Sequence, residues 1–362
     1  MTDLRREDRD RPSETVEAGG AAEHLDQAGH AHHLPPHEEV DRPTNIVQSD
    51  AIDSLAVGGS GGGDMALVYE SGVELQARSQ WGYAVRRFLR HRLAMGSLII
   101  LLFLGIVAIF ADFFAPYAFD EPDFLSITLP PTTENNHFFG TDFLGRDSLS
   151  RIIYGLRTSL WVALVVSLLA TVIGTTIGAV AGYFGGWIDN ALMRLTDLVL
   201  TLPGLAVLLT ISVYVGQGDP KRVAIILGLL FWTGFARIVR GTFLSLREKE
   251  FVEAAKASGA GDARIMLRHI LPNAIAPIIV NATLIVALAI LTEAALSFLG
   301  FGVQPPNPAL GVLINEGQSE GLKFWWLVTF PGLVIVLIAL CINFVGDGLR
   351  DALDPTQRRI RG

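Results

Sequence analysis

The chain has 362 residues, half of them hydrophobic and 18% charged, with a mean hydropathy of +0.42 and a formal net charge of −8. A soluble domain averages about 25% charged residues, so an ordinary cytosolic enzyme is excluded. The single cysteine, Cys341, excludes an intrachain disulfide framework and a cysteine-rich metal or iron–sulfur site, and without a basic domain nucleic acid is not an expected partner.

Charge divides the chain in two. Residues 1–80 hold 16 acidic and 6 basic residues, leaving 20 acidic and 22 basic in the rest. This first stretch has no apolar run able to build a core and carries a Gly58-Gly59-Ser60-Gly61-Gly62-Gly63 linker, so it reads as a disordered acidic tail. No basic start followed by a short apolar run marks a secretory signal. His24, His30, His32, His33 and His37 are of the type that binds zinc, nickel or copper, but a disordered tail offers no fixed ligand geometry. The expectation is a solvated tail without a metal site.

Six stretches then approach the roughly 20 apolar residues needed to cross a membrane: 93–115, 159–183, 195–215, 223–243, 274–296 and 325–345. With no water to satisfy the backbone there, all must be helical, so the fold class expected is an all-α membrane protein with six transmembrane helices. Between the first two lies a long outer loop, 116–158, rich in both signs of charge, including Asp142, Arg146, Asp147 and Arg151. Paired carboxylates there raise the thought of hydrolysis or a divalent cation, but no converging acid, base and substrate site accompanies them, so Arg–Asp pairs tying the loop are expected. The second span carries Gly174, Gly178, Gly182 and Gly186 in a register of four. Such a ladder admits close approach of another helix, either from this chain or from a second membrane subunit. Pro203, Pro277 and Pro331 fall in or beside spans, where a missing donor kinks a helix unless neighbours repair it. Asp197, Arg237, Arg240 and Glu293 are read as lying near span ends, where side chains reach the interface. A carrier driven by buried carboxylates is then disfavoured, and energy for transport has to come from another subunit.

The loop 244–273 is the most informative segment. Residues 251–258 read as a short helix, Gly259 as its stop through a positive φ, Asp262 as the N-cap of a second helix, and Pro272 as a limit on that helix. Ala254, Ala255, Ala257 and Gly259 leave room for a partner, and Glu253, Lys256, Arg264 and Arg268 orient it electrostatically. Basic residues before the first span, in this loop and after the sixth span fall on one side if the spans alternate. That side is expected to be the cytoplasm, with both termini on it.

Glu253-Ala-Ala, Gly259 and the Leu271-Pro272 ending resemble the EAA signature of membrane subunits of ABC importers. Where that signature favours isoleucine, this chain has His269, and the His-x-Leu-Pro-Asn form resembles the peptide and nickel branch. Phe139 to Arg151, Ala181 to Asp189, Glu293 to Gly300 and Gly346 to Pro355 resemble further signatures of that branch. The resemblance covers about residues 81–358 and is nearest to the C-type permeases of dipeptide and oligopeptide importers. It implies the type I ABC importer permease fold, a multi-pass position in a bacterial inner membrane, and half of a peptide-conducting pore. Implied partners are a B-type permease, two ABC ATPases and an extracytoplasmic peptide-binding protein. The implied ATPase-docking residues are Glu253, Ala254, Ala255, Lys256, Gly259, Arg264, His269, Leu271 and Pro272. Nickel, glutathione and other non-peptide importers share these motifs and form the alternative. A mere membrane anchor needs one span, not six with a patterned loop. No Gly-x-x-x-x-Gly-Lys-Ser/Thr loop occurs, so this chain is not expected to be an enzyme or to hold a cofactor. ATP and magnesium would belong to the partner ATPases.

Overall fold

The computed structural model describes residues 80–215, 218–319 and 321–353. The acidic tail with its histidines and glycine linker, and Arg358, Arg359 and Arg361, lie outside the described residues. Those described form an all-helical fold with two isolated β-bridges, Thr141 to Asp147 and Gly218 to Val303. Helix α1 spans Gln80–Arg90, α2 Arg92–Ile109 and α3 Ala111–Phe114. After a loop with one 3₁₀ turn come α4 (Ser148–Phe184), α5 (Gly186–Thr201), α6 (Gly204–Val215) and α7 (Pro220–Arg247). Then follow α8 (Glu250–Ala257), α9 (Asp262–Arg264), a π-helical turn (Ile265–Ile270), α10 (Leu271–Phe298), α11 (Leu310–Gln318) and α12 (Trp326–Leu353).

Five helical runs are long and apolar enough to cross a membrane; a sixth crossing counts α5 and α6, bent by 83°, as one broken span. Pro203 explains the break. The residue before a proline is driven out of the helical region, and Leu202 sits at φ −72°, ψ 137°. Pro203 then accepts the first turn of α6 through Val207 N–H. Pro272 behaves differently and does not limit its helix: the run continues from Asp262 to Phe298. The π turn before it shifts the hydrogen-bond phase, so Pro272 occupies the first turn of α10, where its missing N–H costs nothing. At about 1.5 Å per residue this 37-residue rod is about 55 Å long.

Two apolar clusters fill the bundle. One gathers Leu156, Val162, Val166, Leu227, Ile290, Leu310 and Ile338; the other gathers Tyr183, Phe235, Val239, Phe243, Val252, Ile265 and Ile270. The tightest helix pair is α4 against α7. A Cβ on Gly174 would lie 2.8 Å from the Trp232 carbonyl oxygen, one on Gly182 2.7 Å from that of Arg240, and one on Gly178 would overlap that of Ala236. These three glycines therefore meet a helix of the same chain. Gly186 departs from the series: α4 ends at Phe184, and Gly186 opens α5 at φ +58° with open space where a Cβ would stand. The register of four runs past the end of the helix that gives it meaning.

Helix α4 begins at Ser148 rather than Ser159, which moves Arg151 and Arg157 from the outer loop into the helix. The Asp147 carboxylate caps it by accepting from Ser150 N–H at 2.7 Å. Helix α11 has no counterpart among the expected spans. Its apolar run is too short to cross a membrane, and it buries Leu310, Val312 and Leu313 against the bundle instead.

Candidate functional site

The segment 248–271 forms an elbow at one end of the bundle. Val252 and Ala255, three apart on α8, are buried with Ile265 and Ile270 of the returning helix. That spacing seats one face of α8. The other face leaves Glu253, Ala254, Lys256 and Ala257 exposed. Gly259 ends α8 at φ +77°: its N–H donates to Lys256 O at 2.9 Å, and Ala260 N–H reaches back to Ala255 O at 3.1 Å. This double closure requires a left-handed residue, which glycine alone adopts freely.

Asp262 is not the N-cap. Gly261 holds that position without a side-chain bond, and the Asp262 carboxylate, one residue further, accepts from the Tyr183 hydroxyl at 2.7 Å. The elbow is thereby tied to the end of α4. A second tie comes from Arg247, whose guanidinium donates to Gly182 O at 3.3 Å and Tyr183 O at 3.1 Å. Cations suit helix C-termini, where carbonyls lack partners. Of the nine residues expected at this site, Glu253, Ala254, Lys256, Gly259, Arg264 and Pro272 are exposed. His269 and Leu271 are half-buried, and Ala255 turns inward to seat α8.

The opposite end of the bundle carries the loop 115–147. Asp142 accepts from Arg146 Nε and Arg151 Nη1, both at 2.7 Å, and from the N–H groups of Leu144 and Arg146 at 2.9 Å. Glu316 of α11 completes the knot, 2.5 Å from Arg151 Nη1. His137 is buried, its Nδ1 3.0 Å from Asp147, and it stacks on Tyr117 at 4.9 Å. Asp123, facing His137 from the surface, has its carboxyl held below the usual carboxylate range by the Ser126 hydroxyl and the Leu125 N–H. The Arg–Asp pairs thus fasten the loop to α4 and α11.

Charge inside the bundle was underestimated from sequence. Glu293 does not reach the interface: it is fully buried, accepting from Ser159 at 2.8 Å and Ser297 at 2.7 Å. Arg240 grips Asp189 with Nη2 at 2.6 Å, and Arg237 pairs with Asp197, so α7 holds α5 by two ion pairs. Their sequence signal was present as two acids within α5 and two arginines within α7; a hydropathy window averages it away.

Residues 174–359 match the family described as "Binding-protein-dependent transport system inner membrane component", and residues 79–131 match "N-terminal TM domain of oligopeptide transport permease C". The chain is 42% identical over 286 residues to the oligopeptide transport system permease protein OppC of Escherichia coli K12, covering 79% of this chain and 94% of that one. It is 41% identical over 278 residues to OppC of Mycobacterium tuberculosis H37Rv, covering 76% and 95%. It is also 39% identical over 281 residues to the glutathione transport system permease protein GsiD of Escherichia coli O6:K15:H31, covering 77% and 92%. A chain of the inward-facing MetNI methionine ABC transporter aligns with a TM-score of 0.46 and 19% identity, over 56% of this chain and 96% of that one.

Proposed function

The chain belongs to the family of binding-protein-dependent transport system inner membrane components, and on that premise we propose that it is a permease subunit of an ATP-driven peptide importer. The observation that carries the peptide assignment is the 42% identity to OppC of Escherichia coli over nearly that protein's whole length. In this reading the chain forms half of the pore in a bacterial inner membrane, beside a homologous B-type permease. Two ABC ATPases bind below, hold ATP and magnesium, and hydrolyse ATP; a peptide-binding protein delivers substrate from above. Both termini and the elbow face the cytoplasm.

The elbow docks on an ATPase subunit. Glu253, Ala254, Lys256, Gly259 and Arg264 present the contact face, while His269, Leu271 and Pro272 join it to the membrane. Support comes from continuity: the elbow leads directly into one helical run from Asp262 to Phe298, so a displacement at α8 has a path into the bundle. ATP-driven closure of the ATPases would push the rod and turn the bundle from inward-open to outward-open; hydrolysis returns it.

The test is reconstitution of the whole complex in proteoliposomes with labelled tri- and tetrapeptides. Saturable, ATP-dependent peptide uptake is expected. The GsiD likeness keeps glutathione as the second reading, with a nickel importer behind it. Uptake of glutathione or nickel without linear peptides would overturn the peptide assignment.

A further inference from the structure

The pair Asp197–Arg237 is misplaced for a lipid-facing helix surface. Its two side chains are 46% and 52% exposed in the chain. Their depth follows from α7, a single apolar span from Pro220 to Arg247. Arg237 stands ten residues, about 15 Å, before Arg247 at the elbow end of that helix, well inside a hydrocarbon core about 30 Å thick. Ionisable side chains at that depth face a bundle interior or a water-filled cavity rather than lipid.

The surroundings agree. Arg194 is exposed on α5 between Asp189 and Asp197, and Asp189 and Arg240 form a second pair nearer the elbow. On α7, Gly234 and Gly241 flank Arg237 with open space where a Cβ would stand. By contrast α2 has no charge between Leu93 and Ile109 and exposes Leu102, Phe103 and Ile106, a surface suited to lipid.

We infer that the α5–α7 face bearing Asp197 and Arg237 lines the water-filled translocation path, where the pair serves as a way-station for the charged ends of a peptide. This rests on the peptide-importer reading. A peptide in transit carries a carboxylate and an ammonium group that lose solvent in a narrow passage. Arg237 offers a donor fork to the carboxylate, and Asp197 accepts from the ammonium. Between passages the two residues neutralise each other.

The experiment uses the whole complex in proteoliposomes. Gly234→Cys and Gly241→Cys are labelled with a charged, membrane-impermeant thiol reagent, with Leu102→Cys as the lipid-side comparison. Cys341 is buried and supplies the unreacted background. Cysteines at 234 and 241 should react in at least one nucleotide state, and more slowly when peptide is being imported; the one at 102 should stay unreactive. The double variant Asp197→Asn with Arg237→Gln, which leaves no lone charge, should assemble normally yet lose peptide uptake about ten-fold or more, as expected for lost charged hydrogen bonds. If cysteines at 234 and 241 stay unreactive in every nucleotide state while the complex imports peptide, the face is sealed by lipid or by the second permease and the inference falls alone. Unchanged uptake in the double variant overturns the way-station. If the parent complex imports no peptide, the functional reading falls and takes this inference with it.

Discussion

The two ends of the bundle manage charge in opposite ways. At the loop end Asp142, Arg146, Arg151 and Glu316 are consumed by one another, and Arg151 and Asp142 are almost fully buried. At the elbow Glu253, Lys256, Arg264 and Arg268 are exposed, with no ion pair within 4 Å among the described residues. Internal pairing makes a rigid cap; charge left outward makes a surface for another molecule. The first end is built to hold its own shape; the second is the surface through which the proposed docking would pass force.

The contrast breaks most readily at the cap. Replacing Arg151 by Ala removes the buried guanidinium shared by Asp142 and Glu316, leaving Arg146 as the one cation on both carboxylates among the described residues. Removing one partner of a buried pair costs about 3–5 kcal/mol, so thermal unfolding in detergent should show the largest loss of any substitution considered, with ATPase binding intact in the protein that still folds. A fall in ATPase binding matching the loss of stability would mean that the two ends are not separate devices.

The α4–α7 seam comes next. Gly178→Val pushes methyl groups into the Ala236 carbonyl and Val239, and overpacking of this kind costs about 1–3 kcal/mol. Gly186→Val, four residues on, meets open space, so its cost is backbone strain at φ +58° alone. The two unfolding midpoints measured side by side check the reading, since a lateral interface through all four glycines predicts an assembly defect for both.

What was legible in the sequence follows the same division. Hydropathy located the five long apolar helices because twenty apolar residues in a row have one use, but not the bend that splits the stretch 195–215 at Pro203. Gly259 was legible because its demand is local, a positive φ at a helix end. The opposite effects of Pro203 and Pro272 were not legible: each removes one donor, and only the preceding hydrogen-bond phase decides whether that donor was needed. Glu293 was misplaced because it stands three residues from the end of the expected span 274–296 and so reads as interfacial, whereas α10 runs on to Phe298 and Ser159 of α4 covers the carboxylate. Such burial is a property of two segments 134 residues apart in sequence. Helix α11 escaped for the reverse reason, being apolar enough to bury and too short to span.

At the elbow the energies shrink while the functional consequences grow. Gly259→Val touches nothing in the chain, so its cost is the left-handed conformation itself, about 1–2 kcal/mol. The double closure of α8 should loosen, and ATP-driven uptake should fall by much more than the amount of protein in the membrane. Normal uptake at normal expression would sink the docking assignment.

The smallest effect on stability is the most discriminating. Lys256 is exposed and unpaired among the described residues, and a surface substitution of this type stays within about 0.5 kcal/mol. Lys256→Glu should therefore leave the unfolding midpoint unchanged. If α8 meets a partner through complementary charge, the same reversal places like against like, which acts mainly on association rate and its salt dependence. Copurification of the ATPase should weaken at low ionic strength and converge with the parent as salt screens both, since the Debye length shrinks to about 3 Å at 1 M. A midpoint shift as large as that of Arg151→Ala would make Lys256 part of the fold; equal copurification at every salt concentration would leave α8 without its charged partner and remove the electrostatic half of the docking proposal.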